Sequence, residues 1–600
     1  MRQFQRFLTI FFLVVGIHGV YAQSPDPWKN DLGPIAASDW NNRAAAHLLE
    51  RAGFGGTPTE IKKLAAMKPA QAVDYLVSYK KIPNQLPPFE ESGIWEPGFD
   101  HFPSSRPAAT EMAKKTGESM GVQVKPGGNR TLQPIADKYL YWLRASLLET
   151  QRVGYWWGNR MLQTKRPLEE KMTLFWHGHF ANNEDKVRDY RKMLQQNELF
   201  RKEATGNFRT LLIEVAKNPA MLVYLDAAVN VKGAPNENFA REIMELFTMG
   251  AGNYTERDIQ EAARAFTGWY FKDLTFVQNN DLHDAGLKSI FGKTGNFDGV
   301  QVIDLILSRQ ETSEFVASKL YRYFVREDVS PQMRSQLGKL FRDAHYEIAP
   351  FLRTIFLSKN FYSKDSIATH VKSPVEFVIS TYKKLELTEL PGIVDFNDVT
   401  DVMGQKLLFP PNVAGWPEGK SWITPGLLMI RNNFIYDTMF APINFVPRDR
   451  VPEQFYQNVP VAEKLSRGLD VTSATKPDGK EMVSMSSTAD REEEFNTGLA
   501  SYVAWRRAIE NVKPIVRAPA KVNLTAMVKK AKCQTTVDVV HLFVGQFLSV
   551  PISEQTQLQI AKLLESDLGT NDMSQAQSYM EDALRNTLHV ILALPAYQLG

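Results

Sequence analysis

VKGAPNENFAREIMELFTMGAGNYTERDIQEAARAFTGW, spanning Val231–Trp269, decides how the chain folds. Phe239, Ile243, Leu246 and Phe247 recur at i, i+4, i+7 and i+8, an apolar stripe that faces a core from one side of a helix. Gly250 and Gly252 stop that helix, because glycine accepts the left-handed backbone that closes one. Thr255, with Asp258 three residues on, forms a capping box that starts a second helix. The hairpin is dense in charge: Glu237, Arg241, Glu242, Glu245, Arg257, Asp258, Glu261 and Arg264 crowd it.

The same helical punctuation recurs along the chain, and strand signals are few, so the fold class is all-α: a large multi-helical domain with long Pro/Gly-rich loops. Thr57-Pro58-Thr59-Glu60 is a strong helix start, Pro167 opens the helix leading to Trp176-His177-Gly178-His179-Phe180, and Pro219 splits two helices. Residues 272–300 read as a loop, and FPPNVAGWPEGKSWITPG (409–426) as a second one carrying Trp416 and Trp422.

Residues 1–22 have the form of an export signal, with Arg2 and Arg6 ahead of the apolar run 7–17 and a small-residue site at Val20-Tyr21-Ala22. A linker (23–38) leads into the helical domain (39–440), whose residues 82–130 are a loop-rich insert. A polar linker or surface excursion (441–515) follows, then C-terminal helices (516–600) packed on the main domain. After cleavage no further apolar run is long enough to span a bilayer, which places the chain in the periplasm or outside the cell. Cys533 is the sole cysteine, which excludes an intramolecular disulfide and any site needing two thiolates. With 70 Lys and Arg against 67 Asp and Glu, a net +3, the charge is too even for a nucleic-acid partner.

Three constellations could carry chemistry. His177 and His179 are potential metal ligands. Residues two apart on a helix point about 200° from each other, so both rings converge only if Gly178 breaks the helix. In an unbroken helix, His179 shares its face with Met172, Phe175 and Trp176, and His177 shares one with Glu170 and Thr173. Glu237, Glu242 and Glu245 form the second group; Glu242 and Glu245 have the i, i+3 spacing of paired ligands in di-metal bundles. Surface ion pairs Arg241–Glu245 and Arg257–Glu261 are the plainer reading. His283-Asp284 is the third, as ligands or an acid/base pair. The nearby Gly292-Lys293-Thr294 is not a phosphate loop, since its glycine spacing is wrong and no strand precedes it. Trp416 and Trp422 could stack on a sugar or plug a core.

Several segments together resemble one large bacterial family, domain of unknown function 1800. They are HLLERAGFGGTPTEI (47–61), MTLFWHGHFA (172–181), GNFRTLLIEVAKNPAMLVYLD (206–226), the hairpin from Lys232, HDAGLKSIFGKTG (283–295), KSPVEFV (372–378) and PPNVAGWPEGKSWI (410–423). The resemblance implies an exported protein and a sulfatase-like partner encoded nearby, but no established reaction. Family positions here include His177, His179, Glu237, Asn238, Arg241, Glu242, Glu245, His283, Asp284, Trp416 and Trp422. Gly178 departs from the expected polar residue.

Two functions follow as expectations. In the first, His177, His179, Glu237, Glu242, Glu245, His283 and Asp284 hold a divalent metal ion, with Arg241, Asn238, Trp416 and Trp422 on the substrate, for hydrolytic or oxidative chemistry. In the second, the charges form a structural network, and the protein is a non-enzymatic scaffold that meets a sulfatase-like partner or a polysaccharide.

Overall fold

The computed structural model describes residues 26–96, 115, 133–441, 497–516 and 518–600. The export signal lies outside the described residues, as do the insert beyond 96 and the excursion before 497. Helices dominate what is described, as the punctuation predicted. Thr57 and Thr255 both close the reciprocal capping boxes expected of them, each satisfying two orphan amides. No helix among the described residues is long and apolar enough to cross a membrane.

Two differences from the sequence reading have local causes. The stretch 272–300 is not all loop: Trp269–Lys272 pairs antiparallel with Thr275–Gln278, and Lys288–Ile290 with Lys293–Gly295. Trp269 and Phe271 point inward while Tyr270 and Lys272 are exposed, an alternation too short to stand out beside helices. Within the expected polar excursion, Thr497–Asn511 is a helix. It buries Ala504, Trp505 and Ala508, joined by Val512 just past its end, in a small core with Tyr139, Leu140 and Trp142 of the long helix Gln133–Gln163.

Most apolar side chains divide between two larger cores. The first draws on Ile35 through Tyr362 and includes the charged hairpin; the second draws on Val375 through Tyr597 with Phe54, Val153 and Trp157. The histidine helix, Pro167–His179, serves both, giving Met172, Phe175 and Trp176 to the first and Leu174 to the second. The segment Pro595–Gln598 reaches back to the start of the helix Pro374–Lys384. There the Lys372 amide donates to the Gln598 carbonyl (2.9 Å), and the Arg431 Nη1 donates to the Gln598 side chain (3.2 Å).

Candidate functional site

The expected metal centre is not assembled. The histidine helix continues through Gly178 to His179, so the two rings diverge as helical geometry requires. The His177 Nε2 accepts the Leu408 amide (3.0 Å), which puts its proton on Nδ1; that nitrogen is buried with no partner among the described residues. Trp157 and Trp416 flank the ring at 5.4 and 5.1 Å, and burial pushes its pKa down to about 3, so it is neutral. His179 looks the other way. Its Nε2–H donates to the Phe247 carbonyl (3.0 Å), which leaves the Nδ1 lone pair facing the Lys319 Nζ at 3.4 Å.

The hairpin charges lie apart from both histidines in separate ion pairs. Arg241 binds Glu256 through both terminal nitrogens (3.0 and 2.6 Å) and reaches Glu237 at 3.4 Å, in place of the expected Glu245. Arg264, not Arg257, takes Glu261 (2.8 Å), and it also holds Asp284 (2.8 Å). Glu245 accepts the Tyr254 hydroxyl, and half-buried Glu242 has its carboxyl raised by burial and by Glu245. His283 donates Nδ1–H to the Thr267 carbonyl (2.9 Å), and exposed Asn238 donates to the Leu225 carbonyl (3.3 Å). Among the described residues no three of His, Cys, Asp and Glu come together as a set that could hold a metal ion.

The loop tryptophans plug rather than display. Trp422 is buried, and half-buried Trp416 covers His177 and Gly178. Gly415, at φ +89°, lies so close to the Gly178 carbonyl that a Cβ would overlap its oxygen. A side chain at Gly178 itself would make only ordinary contact with Trp416, so the departure from a polar residue there does not reshape the helix.

What the fold does bring together is a polar seam between two helices. Lys171, Phe175 and His179 stand at i, i+4 and i+8 on the histidine helix; Lys319 and Tyr323 stand at i and i+4 on Gln310–Phe324. The stripes meet in register. His179 faces Lys319, Phe175 packs on Tyr323 (ring centres 5.1 Å), and the Lys171 ammonium lies 5.5 Å over the Tyr323 ring.

At the lower end Glu376 is the hub. Its Oε1 holds Lys171, and its Oε2 accepts the Ser373 amide (2.8 Å) and the His370 Nε2–H (2.9 Å). Burial pushes Glu376 up, but Lys171 and His370 outweigh it and hold the carboxyl well below its ordinary range. Burial, with Arg51 nearby, pushes His370 down to about 4 against the pull of Glu376. The His370 Nδ1 makes no hydrogen bond among the described residues and is not sealed from solvent, whereas the Tyr323 hydroxyl is buried without a partner. Arg51 closes this end by donating to the Phe324 and Tyr323 carbonyls (3.0 and 2.5 Å).

At the upper end, the hairpin's first helix, Glu237–Met244, widens into a π turn over Glu245–Met249, closed by the Gly250 amide on the Glu245 carbonyl (3.0 Å). Such turns recur at functional sites because they release backbone groups from the helical ladder. Here the Phe247 carbonyl takes His179 and the Leu246 carbonyl takes Lys319 (3.3 Å). Glu418, an exposed residue of the Trp416 loop, acts on Lys319 through its charge from beyond ion-pair distance and favours the ammonium.

A family model described as "Protein of unknown function (DUF1800)" matches residues 47–599. The chain belongs to that family. No curated protein and no solved structure matches it. Every residue of the seam, from Arg51 to Glu418, falls within the DUF1800 match, and four quoted motif segments contribute side chains while the hairpin segment contributes the Leu246 and Phe247 carbonyls. Arg51 comes from HLLERAGFG, Phe175 and His179 from MTLFWHGHFA, Glu376 from KSPVEFV and Glu418 from PPNVAGWPEGKSWI. The sequence reading missed Arg51, Lys171, Lys319, Tyr323, His370, Glu376 and Glu418. A signal was present for one of them, since Lys171 begins the i, i+4, i+8 series that ends at His179.

Proposed function

We propose that this exported protein binds an anionic ligand at the open side of the seam and carries out proton-transfer chemistry of the hydrolytic kind. The observation that carries the reading is the Glu376–His370 pair. A carboxylate that holds one ring N–H fixes the tautomer and leaves the other nitrogen as a base, which is the division of labour in hydrolytic dyads and triads. The ligand class follows from charge. Burial depresses the ring most, and Arg51 and Lys171 add to it; an anion beside them offsets their part and raises His370 toward the range where a base works best. Tyr323 adds a hydroxyl with no partner of its own.

The test is a panel of phosphate, sulfate and carboxylate esters, run on the mature protein and on His370→Ala and His370→Asn. Turnover by the wild type should fall roughly 100-fold or more in both variants, the usual contribution of a general base. Equal turnover in all three, or none in any, removes the catalytic reading. The scaffold reading is supported by the hairpin, whose arginines Arg241 and Arg264 are fully engaged with carboxylates. Stoichiometric capture of a sulfatase-like partner, or retention on a polysaccharide, with no ester turned over would favour it.

A further inference from the structure

Lys319 differs from the other cations buried nearby. Lys171 rests on Glu376, and Lys372 and Lys384 rest on Glu50 (3.3 and 2.9 Å). Among the described residues no carboxylate lies within ion-pair distance of the Lys319 Nζ. Its close neighbours are the His179 Nδ1 (3.4 Å), the Leu246 carbonyl (3.3 Å) and the Phe315 ring (5.0 Å). The charged groups that face it from farther off are Glu418, which favours the ammonium, and Arg322, which disfavours it. The side chain as a whole is half-buried, not sealed in the core. The tautomer of His179 matters most. Because the Phe247 carbonyl takes the Nε2 proton, the ring offers Lys319 a lone pair and never a competing hydrogen.

We infer that Lys319 is a nucleophilic amine that captures a carbonyl-bearing acid as an imine, with His179 as its proton acceptor. This activity goes beyond the hydrolytic reading but rests on the same seam being open to a ligand. The amine lone pair adds to the carbonyl carbon as the C–O π bond breaks, and His179 Nδ1 takes one of the two amine protons and passes it to the oxygen, giving a hydroxyl. The second amine proton follows the same route to that hydroxyl, which leaves as water when the nitrogen lone pair forms the C=N bond. Amine plus carbonyl gives imine plus water, so no oxidant or reductant is required. Burial supports the chemistry by holding Lys319 at about 8. At pH 7.5 that leaves roughly a quarter of it as free amine, against about a thousandth of an ordinary lysine.

The plain alternative is that Lys319 only caps the π turn. Reductive trapping separates the two. The full-length mature protein is treated with glyoxylate and cyanoborohydride at pH 7.5, and adduct formation at every lysine is followed by peptide mass mapping. Lys319 should be modified at least tenfold faster than the median lysine, and His179→Gln should slow it at least threefold. Lys319→Arg, which preserves the cap, should fold normally and lose the fast adduct. Modification of Lys319 no faster than the median overturns the inference, as does a rate unchanged in His179→Gln. The two readings fail separately: fast trapping without ester hydrolysis leaves Lys319 standing and sinks the His370 base, and hydrolysis with an inert Lys319 does the reverse.

Discussion

Glu376→Gln is the most informative single change in the seam. Glutamine keeps the shape, can still accept the Ser373 amide as part of the capping box, and can still take the His370 N–H. The substitution therefore isolates charge. Lys171, whose side chain is 1% exposed, loses the one carboxylate within ion-pair distance of it among the described residues. Breaking one side of a buried ion pair costs about 3–5 kcal/mol, because the partner charge stays buried without compensation. Lys171 can escape by releasing its proton, and burial already lowers its pKa. A base whose folded pKa falls below its unfolded value binds fewer protons when folded, so stability rises with pH between the two. The deficit of Glu376→Gln should thus be near its full size at pH 6 and shrink toward pH 10. Adding Lys171→Met removes the stranded charge, and the double variant should recover to within about 1.5 kcal/mol of the wild type. Urea unfolding followed by tryptophan fluorescence at both pH values measures all three proteins. A loss below about 1 kcal/mol at pH 6, or a double variant no better than the single one, would refute the reasoning.

Three further outcomes follow. Glu184 is buried with Ser146 on one oxygen (2.8 Å), and burial pushes its carboxyl up to about 8. The folded state therefore holds that proton and loses stability as pH rises through 8. Glu184→Gln should be the more stable protein near pH 9 by on the order of 2–4 kcal/mol, with the gap closing below about pH 5 in thermal melts. Arg241→Ala removes a pair whose members are 33% and 68% exposed, and should shift the unfolding free energy by less than about 1 kcal/mol; a larger loss would mean that the hairpin charges act as a unit. Gly415→Ala forces a Cβ onto the Gly178 carbonyl at a positive φ, and should cost about 1–3 kcal/mol and open the 409–426 loop to limited proteolysis.

Local punctuation was legible in the chain, and long-range charge pairing was not. Thr57, Thr255 and Pro167 announce helix starts through chemistry confined to three or four residues, and each start stands where they place it. The divergence of His177 and His179 also follows from helical geometry alone. Partner choice does not: Arg241 finds Glu256 fifteen residues away, and Lys171 finds Glu376 across 205. Glu376 was hidden by its own local role, because a glutamate three residues after a serine N-cap is explained without any distant partner. The π turn was hidden for a similar reason. Its residues keep the apolar spacing of a plain helix, and only Leu246, half-buried where Phe247 is sealed, records the change.

That turn carries one residue more than a regular helix needs. Removing a residue between Glu245 and Met249 would let the helix run on as α, rotating all that follows by about 100°. The carbonyls of Leu246 and Phe247 would then return to amides of their own helix and turn away from Lys319 and His179. One residue therefore separates the upper end of the seam from an ordinary helical hairpin, and a chain of this fold without it would be expected to lose both carbonyl contacts.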